Sequence, residues 1–134
     1  MPCNCSIGGP AKGHLVREID ALGGEMGRNI DATYTHIRML NTSKGAAVRA
    51  LRAQADKKLY RLRMKAVLEQ QENLHLAQAT AEAICTDDNG VCGVIADATL
   101  YPCRAVVVTT GTFLNGVIHI GERTFAAGRA GEPF

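Results

Sequence analysis

At Asn73 the apolar residues change their spacing, and that change commits the chain to a mixed fold. Before it they recur every three or four residues, the period of a helix face. After it they alternate, the period of a strand. Leu15, Val16, Ile19 and Leu22 mark a short helix starting near His14, and Gly23-Gly24 supplies its stop. "EMGRNIDA" adds one or two turns and "THIRML" reads as a short strand. "NTSKGAAVRALRAQADKKLYRLRMKAVLEQQ" reads as the strongest helix, with Val48, Leu51, Ala55, Leu59, Leu62 and Ala66 on one face and Thr42 or Ser43 as cap. Beyond Asn73, the stretches beginning "LHLAQAT", "GVCGVIAD", "ATLYPCRAVVV" and "NGVIHIGE" read as successive strands, with Asp88-Asn89-Gly90 as a hairpin turn. "RAVVVTTG" is continuously apolar before it meets a glycine, which predicts a buried strand in a sheet covered on both faces. The fold class is α/β.

Composition narrows the classes. A length of 134 residues with 46% apolar content suits one ordinary domain with its own core. No window approaches the ~18 consecutive apolar residues of a membrane span, and no signal peptide opens the chain. Five cysteines, an odd number without an export signal, predict reduced thiols and a cytoplasmic protein. The net charge of +2 decides nothing about nucleic acid, but its distribution is informative. Between Val48 and Ala66 stand Arg49, Arg52, Lys57, Lys58, Arg61, Arg63 and Lys65 against Asp56 alone. Such a run is either a solvated face or a stripe that contacts phosphates.

The opening "MPCNCSIGGPAKGHLVREIDALGG" pairs two cysteines with a glycine-rich loop and a helix start. Zinc is not expected. A structural zinc site takes about four ligands, usually from two spaced pairs, and Cys85, Cys92 and Cys103 form no such pair. His14, His36, His75 and His119 do not pair at metal spacing either, and none is assigned to catalysis. No metal site is expected.

Four blocks in order, "CNCSIGGPAKGHLVREIDALGGEMG", "RMLNTSKGAAVRALRAQADKKLY", "VVVTTGTFLNGVIHIGE" and "AGRAGEP", resemble the MnmG/GidA family, the tRNA uridine 5-carboxymethylaminomethyl modification enzymes also called glucose-inhibited division protein A. The resemblance covers essentially the whole chain. It implies an FAD flavoprotein that uses NADH and methylenetetrahydrofolate to build the carboxymethylaminomethyl group at C5 of the wobble uridine. It also implies a homodimer with tRNA as substrate and the GTPase MnmE as partner. In the family the pyrophosphate of FAD is held by a G-x-G-x-x-G turn after the first strand, and this chain has no such turn. The resemblance therefore makes residues 1–134 an internal fragment: part of a Rossmann-like, two-dinucleotide-binding domain without its first βαβ unit. Residues 1–72 supply loop and helices, residues 73–134 a β-rich segment. Tight FAD binding by this piece alone is not expected.

The same resemblance assigns residues one by one. Cys3 matches the family's cysteine and becomes the catalytic thiol, while Cys5 sits where proline is usual. Asn4, Gly8 and Gly9 follow as the loop beside the flavin. Lys44 and Arg49, in the family's Lys-Gly-Pro-Ala-Val-Arg stretch with Ala46 in place of proline, face either the cofactor's phosphates or RNA. Ala81 matches a position whose main chain meets the adenine. Thr110, Gly111 and Thr112 form the strand-end Thr-Gly step beside the dinucleotide. Arg129 lies in a glycine-flanked loop suited to an anionic ligand or the nicotinamide cofactor. The alternatives are another FAD-dependent oxidoreductase of the same fold and a noncatalytic RNA-binding module.

Overall fold

A computed structural model describes residues 5–88 and 90–131. The chain divides after Ala77 into two compact units. In the first, β1 (Ser6–Gly8) leads through the glycine loop into α1 (Lys12–Ala21) and α2 (Glu25–Asp31). β2 (Tyr34–Leu40), a 3-10 turn at Ala46–Val48, β3 (Ala50–Ala55) and α3 (Lys57–Glu69) follow. β3 is the central strand, antiparallel to both β1 and β2.

The long basic helix expected from residue 42 is therefore three elements, with a strand inside it. Helical spacing of Val48, Leu51 and Ala55 did not decide the conformation. Residues 50–55 find strand partners on both sides, and that pairing overrides the helix propensity of Ala, Leu, Arg and Gln. The cap also moves. Thr42 and Ser43 precede the turn, whereas Asp56 starts α3, its Oδ1 accepting the Lys58 and Leu59 N–H groups at 2.9 Å each. Arg49 and Arg52 thus leave the helix, and α3 keeps Lys57, Lys58, Arg61, Arg63 and Lys65.

Register sorts the first sheet into two faces. Ile7, Ala53 and Ile37 form one cross-strand row, which lies against Val16 of α1 and Ile30 of α2. The core is small: Ile30, Ala53 and Ala55 are buried, with Ile7 and Tyr60 packed against them. Ser6, Gln54 and His36 form the next row and project to the other face, as do Arg52 and Arg38.

A polar network ties α2 to α3. Asn29 is fully buried, its Nδ2 donating to the Tyr60 carbonyl at 3.0 Å and its Oδ1 accepting from the Arg63 guanidinium at 3.3 Å. Arg63 also pairs with Glu25, and Thr33 Oγ1 donates to the Asn29 carbonyl at 2.7 Å. Burial raises the Tyr60 phenol above its ordinary range; the Asn29 side chain pulls it down and the Glu25 charge pushes it further up.

In the second unit, β4 (Ala81–Asp87), β5 (Gly90–Ala96) and β6 (Thr99–Pro102) make an antiparallel meander. β7 (Val117–Ile120) and β8 (Arg123–Ala126) make a separate hairpin. The hairpin between β4 and β5 falls where the Asp-Asn-Gly turn was expected, although Asn89 itself lies outside the described residues. "RAVVVTTG" is not a buried strand: it forms no strand, and Val107 is 84% exposed. A continuously apolar strand needs a partner at each edge and a layer on each face, and among the described residues it has neither.

The Asp56 cap gives a direct test of the corrected helix start. Asp56→Ala should cost about 1 kcal/mol in urea unfolding and Asp56→Ser much less, while Thr42→Ala and Ser43→Ala should be close to neutral.

Candidate functional site

Three strand ends define one end of the first sheet. Because β1 and β2 both run against β3, Gly8, Leu40 and Ala50 lie at the same end. The Gly8-Gly9-Pro10 loop, the start of α1 and the 41–49 loop therefore share it. The Gly9 N–H donates to the Leu51 carbonyl at 2.7 Å. Gly8 has φ +88°, and a Cβ there would collide with the same carbonyl oxygen. Only glycine fits such an approach. α1 has no side-chain cap; its first turn is held instead by Lys12 N–H to Pro10 O and Gly13 N–H to Gly9 O, both 2.7 Å.

Beside this loop opens a cleft of about 600 Å³. Leu15, Ile19 and Met26 give it an apolar wall, and Lys12 and Arg52 give it positive charge. That combination suits a flat apolar ring carrying an anionic group. In the 41–49 loop the Asn41 side chain donates to the Val48 carbonyl at 3.0 Å, and Arg49 Nε donates to the Lys44 carbonyl at 3.2 Å. Lys44 and Arg49 are thereby brought together, both exposed. Cys3 and Asn4 lie outside the described residues. The Cys5 carbonyl accepts the Ala55 N–H at 2.6 Å, which puts Cys5 at the opposite end of β3 from Gly9.

The remaining expected residues belong to the second unit. The Phe113 N–H closes a turn onto the Thr110 carbonyl at 3.1 Å, around Gly111 with φ +61°. A Cβ on Gly111 would meet nothing within 4 Å, so no part of the described chain packs against that side of the turn. The Arg129 guanidinium stacks 5.7 Å above the Phe113 ring, joining Arg129 to the Thr110, Gly111 and Thr112 turn. Ala81 stands apart from this group, exposed at the start of β4 and opposite Ala96.

Two features escaped the sequence. Adjacent strands place Cys85 beside Cys92, and Cys103 follows β6 with its N–H on the Cys92 carbonyl at 3.1 Å. Burial pushes the Cys92 thiol up, and neighbouring Cys85 and Asp87 push it further. Among the described residues no group of three His, Cys, Asp or Glu is placed to hold a metal. The second feature is the facing of Arg38 and Arg52. The alternation of "THIRML" put His36 and Arg38 on one face, but their partner was hidden while Arg52 was assigned to a helix. His14 Nδ1 is buried without a hydrogen-bond partner among the described residues.

The family model described as "Glucose inhibited division protein A" matches residues 1–134. The chain is 61% identical over 133 residues to the tRNA uridine 5-carboxymethylaminomethyl modification enzyme MnmG of Pelobacter propionicus, covering 98% of this chain and 21% of that protein. It is 63% identical over 130 residues to the enzyme of the same name from Geobacillus thermodenitrificans, covering 96% and 20%. A solved structure of Aquifex aeolicus GidA superposes with TM-score 0.89 at 57% identity, covering 99% of this chain and 22% of that one. The chain thus spans about a fifth of the length of the curated relatives it matches.

Two outcomes test these contacts. Gly9→Ala, with open space around the new Cβ, should cost about 1–2 kcal/mol for its left-handed backbone, and Gly8→Ala more than that because of the Leu51 carbonyl. For the thiol, the iodoacetamide rate at Cys92, followed by peptide mass mapping, should reach half its plateau at a higher pH than that of an ordinary thiol, which is half ionised near pH ~8.5. Cys85→Ser should lower that inflection only in part, since burial is the larger cause.

Proposed function

The chain belongs to the glucose inhibited division protein A family, and from that premise we propose that it is part of an FAD-dependent enzyme that installs the carboxymethylaminomethyl group at C5 of the tRNA wobble uridine. The observation that carries this reading is the unbroken match along the chain to enzymes of that name. In this reading both units belong to a Rossmann-like FAD-binding domain of a cytoplasmic homodimer. That dimer works with MnmE and takes NADH and methylenetetrahydrofolate as co-substrates.

In this reading the residues present would accommodate a flavin. Gly9 and Gly111 each have empty space where a Cβ would stand, so the backbone at both is open to a flat ring or a phosphate. Asn4, Gly8 and Gly9 would line the flavin side, and Lys44 and Arg49 would meet the dinucleotide phosphates. Ala81 would offer its main chain to the adenine, the 110–112 turn would pack beside the dinucleotide, and Arg129 would hold an anionic group of the nicotinamide cofactor. Bound FAD supplies the electron transfer that the one-carbon unit requires. The chain's own part in the chemistry falls to Cys3. Its thiol acts as nucleophile or proton donor toward the uracil ring while carbon is transferred to C5.

Cys3→Ser in the intact enzyme should lower the modified nucleoside in tRNA digests by roughly 100-fold or more while leaving the flavin absorbance unchanged. Undiminished modification would remove Cys3 from the chemistry. An unsubstituted enzyme that binds flavin but leaves the wobble uridine unmodified would overturn the reading as a whole.

A further inference from the structure

On the sheet face opposite the Ile7, Ala53 and Ile37 row, Arg38 of β2 stands directly across from Arg52 of β3. His36 follows two positions along, across from Gln54. Like charges directly opposite one another in an antiparallel pair are destabilising. A face kept only for solubility mixes signs, yet no ion pair among the described residues involves Arg38 or Arg52. Arg52 is also held in place. Its Nε and one terminal nitrogen donate to Ser6 Oγ at 3.2 and 3.1 Å, fixing the plane of the guanidinium and leaving donors to spare. Between these residues lies a hollow of about 270 Å³, lined by His36, Arg38, Leu40, Arg52 and Gln54. Arg52 lines the neighbouring cleft as well, where Lys12 adds a further positive charge, so one guanidinium joins the two concavities.

We propose that this face is a phosphate-binding site in which Arg38 and Arg52 clamp one phosphate group and His36 adds a third donor. Two facing guanidinium forks are costly beside each other and well matched to the oxygens of a phosphate between them. The source of the phosphate is either the backbone of bound RNA or a free nucleotide. Only the choice between these rests on the tRNA-modifying reading; the clamp does not.

The test uses the intact protein with Arg38→Gln, Arg52→Gln and the double variant. tRNA binding is followed over a salt series, and inorganic pyrophosphate serves as the small-ligand probe in thermal unfolding. Arg38 is exposed, and no side-chain hydrogen bond or ion pair holds it among the described residues, so its single variant keeps the test valid should Arg52→Gln fail to fold. Without ligand, Arg38→Gln should raise the melting temperature, because the repulsion is relieved. If RNA supplies the phosphate, the double variant, which gives up that one phosphate, reduces the slope of log affinity against log salt by about 0.7–0.9, and each single variant by no more than that. If a free nucleotide supplies it, the pyrophosphate-induced rise in melting temperature is lost while tRNA binding keeps its slope. Variants that change neither measurement overturn the site. These readouts are binding, not modification, so an enzyme that fails to modify tRNA would leave the clamp standing and sink only the reading of function.

Discussion

The carbonyl of Leu51 is the contact around which the first unit is arranged. It accepts the Gly9 N–H at 2.7 Å, and a side chain on Gly8 or Gly13 would run into it. The glycines therefore let the loop and the first turn of α1 press onto the start of β3, where Gly13 meets the small, buried Ala50, while Ala53 and Ala55 further along are buried in the core with Ile30. A side chain on Gly8 or Gly13 would push the loop and the first turn of α1 away from β3 and change the shape of the cleft beside the loop. The cleft is thus a consequence of backbone packing, and its charge comes from Lys12 and Arg52 at its margins.

The other half of the first unit is held by polar contacts. Asn29 satisfies its amide on Tyr60 and Arg63, while Arg63 is shared with Glu25, so burying these groups leaves none of them unmatched. This explains why α3, with five Lys and Arg side chains, is not a uniform basic stripe. Arg63 is turned inward, Lys65 pairs with Glu69 at 3.5 Å, and Lys57, Lys58 and Arg61 are left to the solvent side. The charge run seen in the sequence divides among a strand face, a structural ion pair and a wet helix face. Each has its own physical reason.

Legibility followed the range of the interactions. α1, α2 and β2 depend on local spacing and glycine stops, and they formed where those signals pointed. β3 depends on partners 10 to 48 residues away in the chain, such as Leu40 across from Ala50 and Ser6 across from Gln54, pairings that the spacing of apolar residues does not encode. "ALRAQA" carries good helix formers, so local propensity pointed the wrong way. The apolar run at 104–111 failed for the converse reason. Its composition described a strand between partners, and no such partners stand among the described residues. Of the expected site residues, the structure joins Lys44 to Arg49 and the 110–112 turn to Arg129, links that hydrogen bonding and ring stacking create and spacing does not encode.

By itself the sequence determined the mixed α/β class and the family, because long ordered blocks survive as residue identity whatever their conformation. It also marked residues 8 and 9 as a glycine pair before a helix start, a local signal, while the reason glycine is required at 8 is the tertiary approach of the Leu51 carbonyl. Only the tertiary structure decided that residues 50–55 are a strand and that Arg52 faces Arg38. It alone decided that Asp56 caps α3 and that Cys85 neighbours Cys92. The physical reason is the same in each case. A β-strand draws its hydrogen bonds from chain remote in sequence, so its conformation, and every side chain its register sets on one face or the other, is settled by which strands meet.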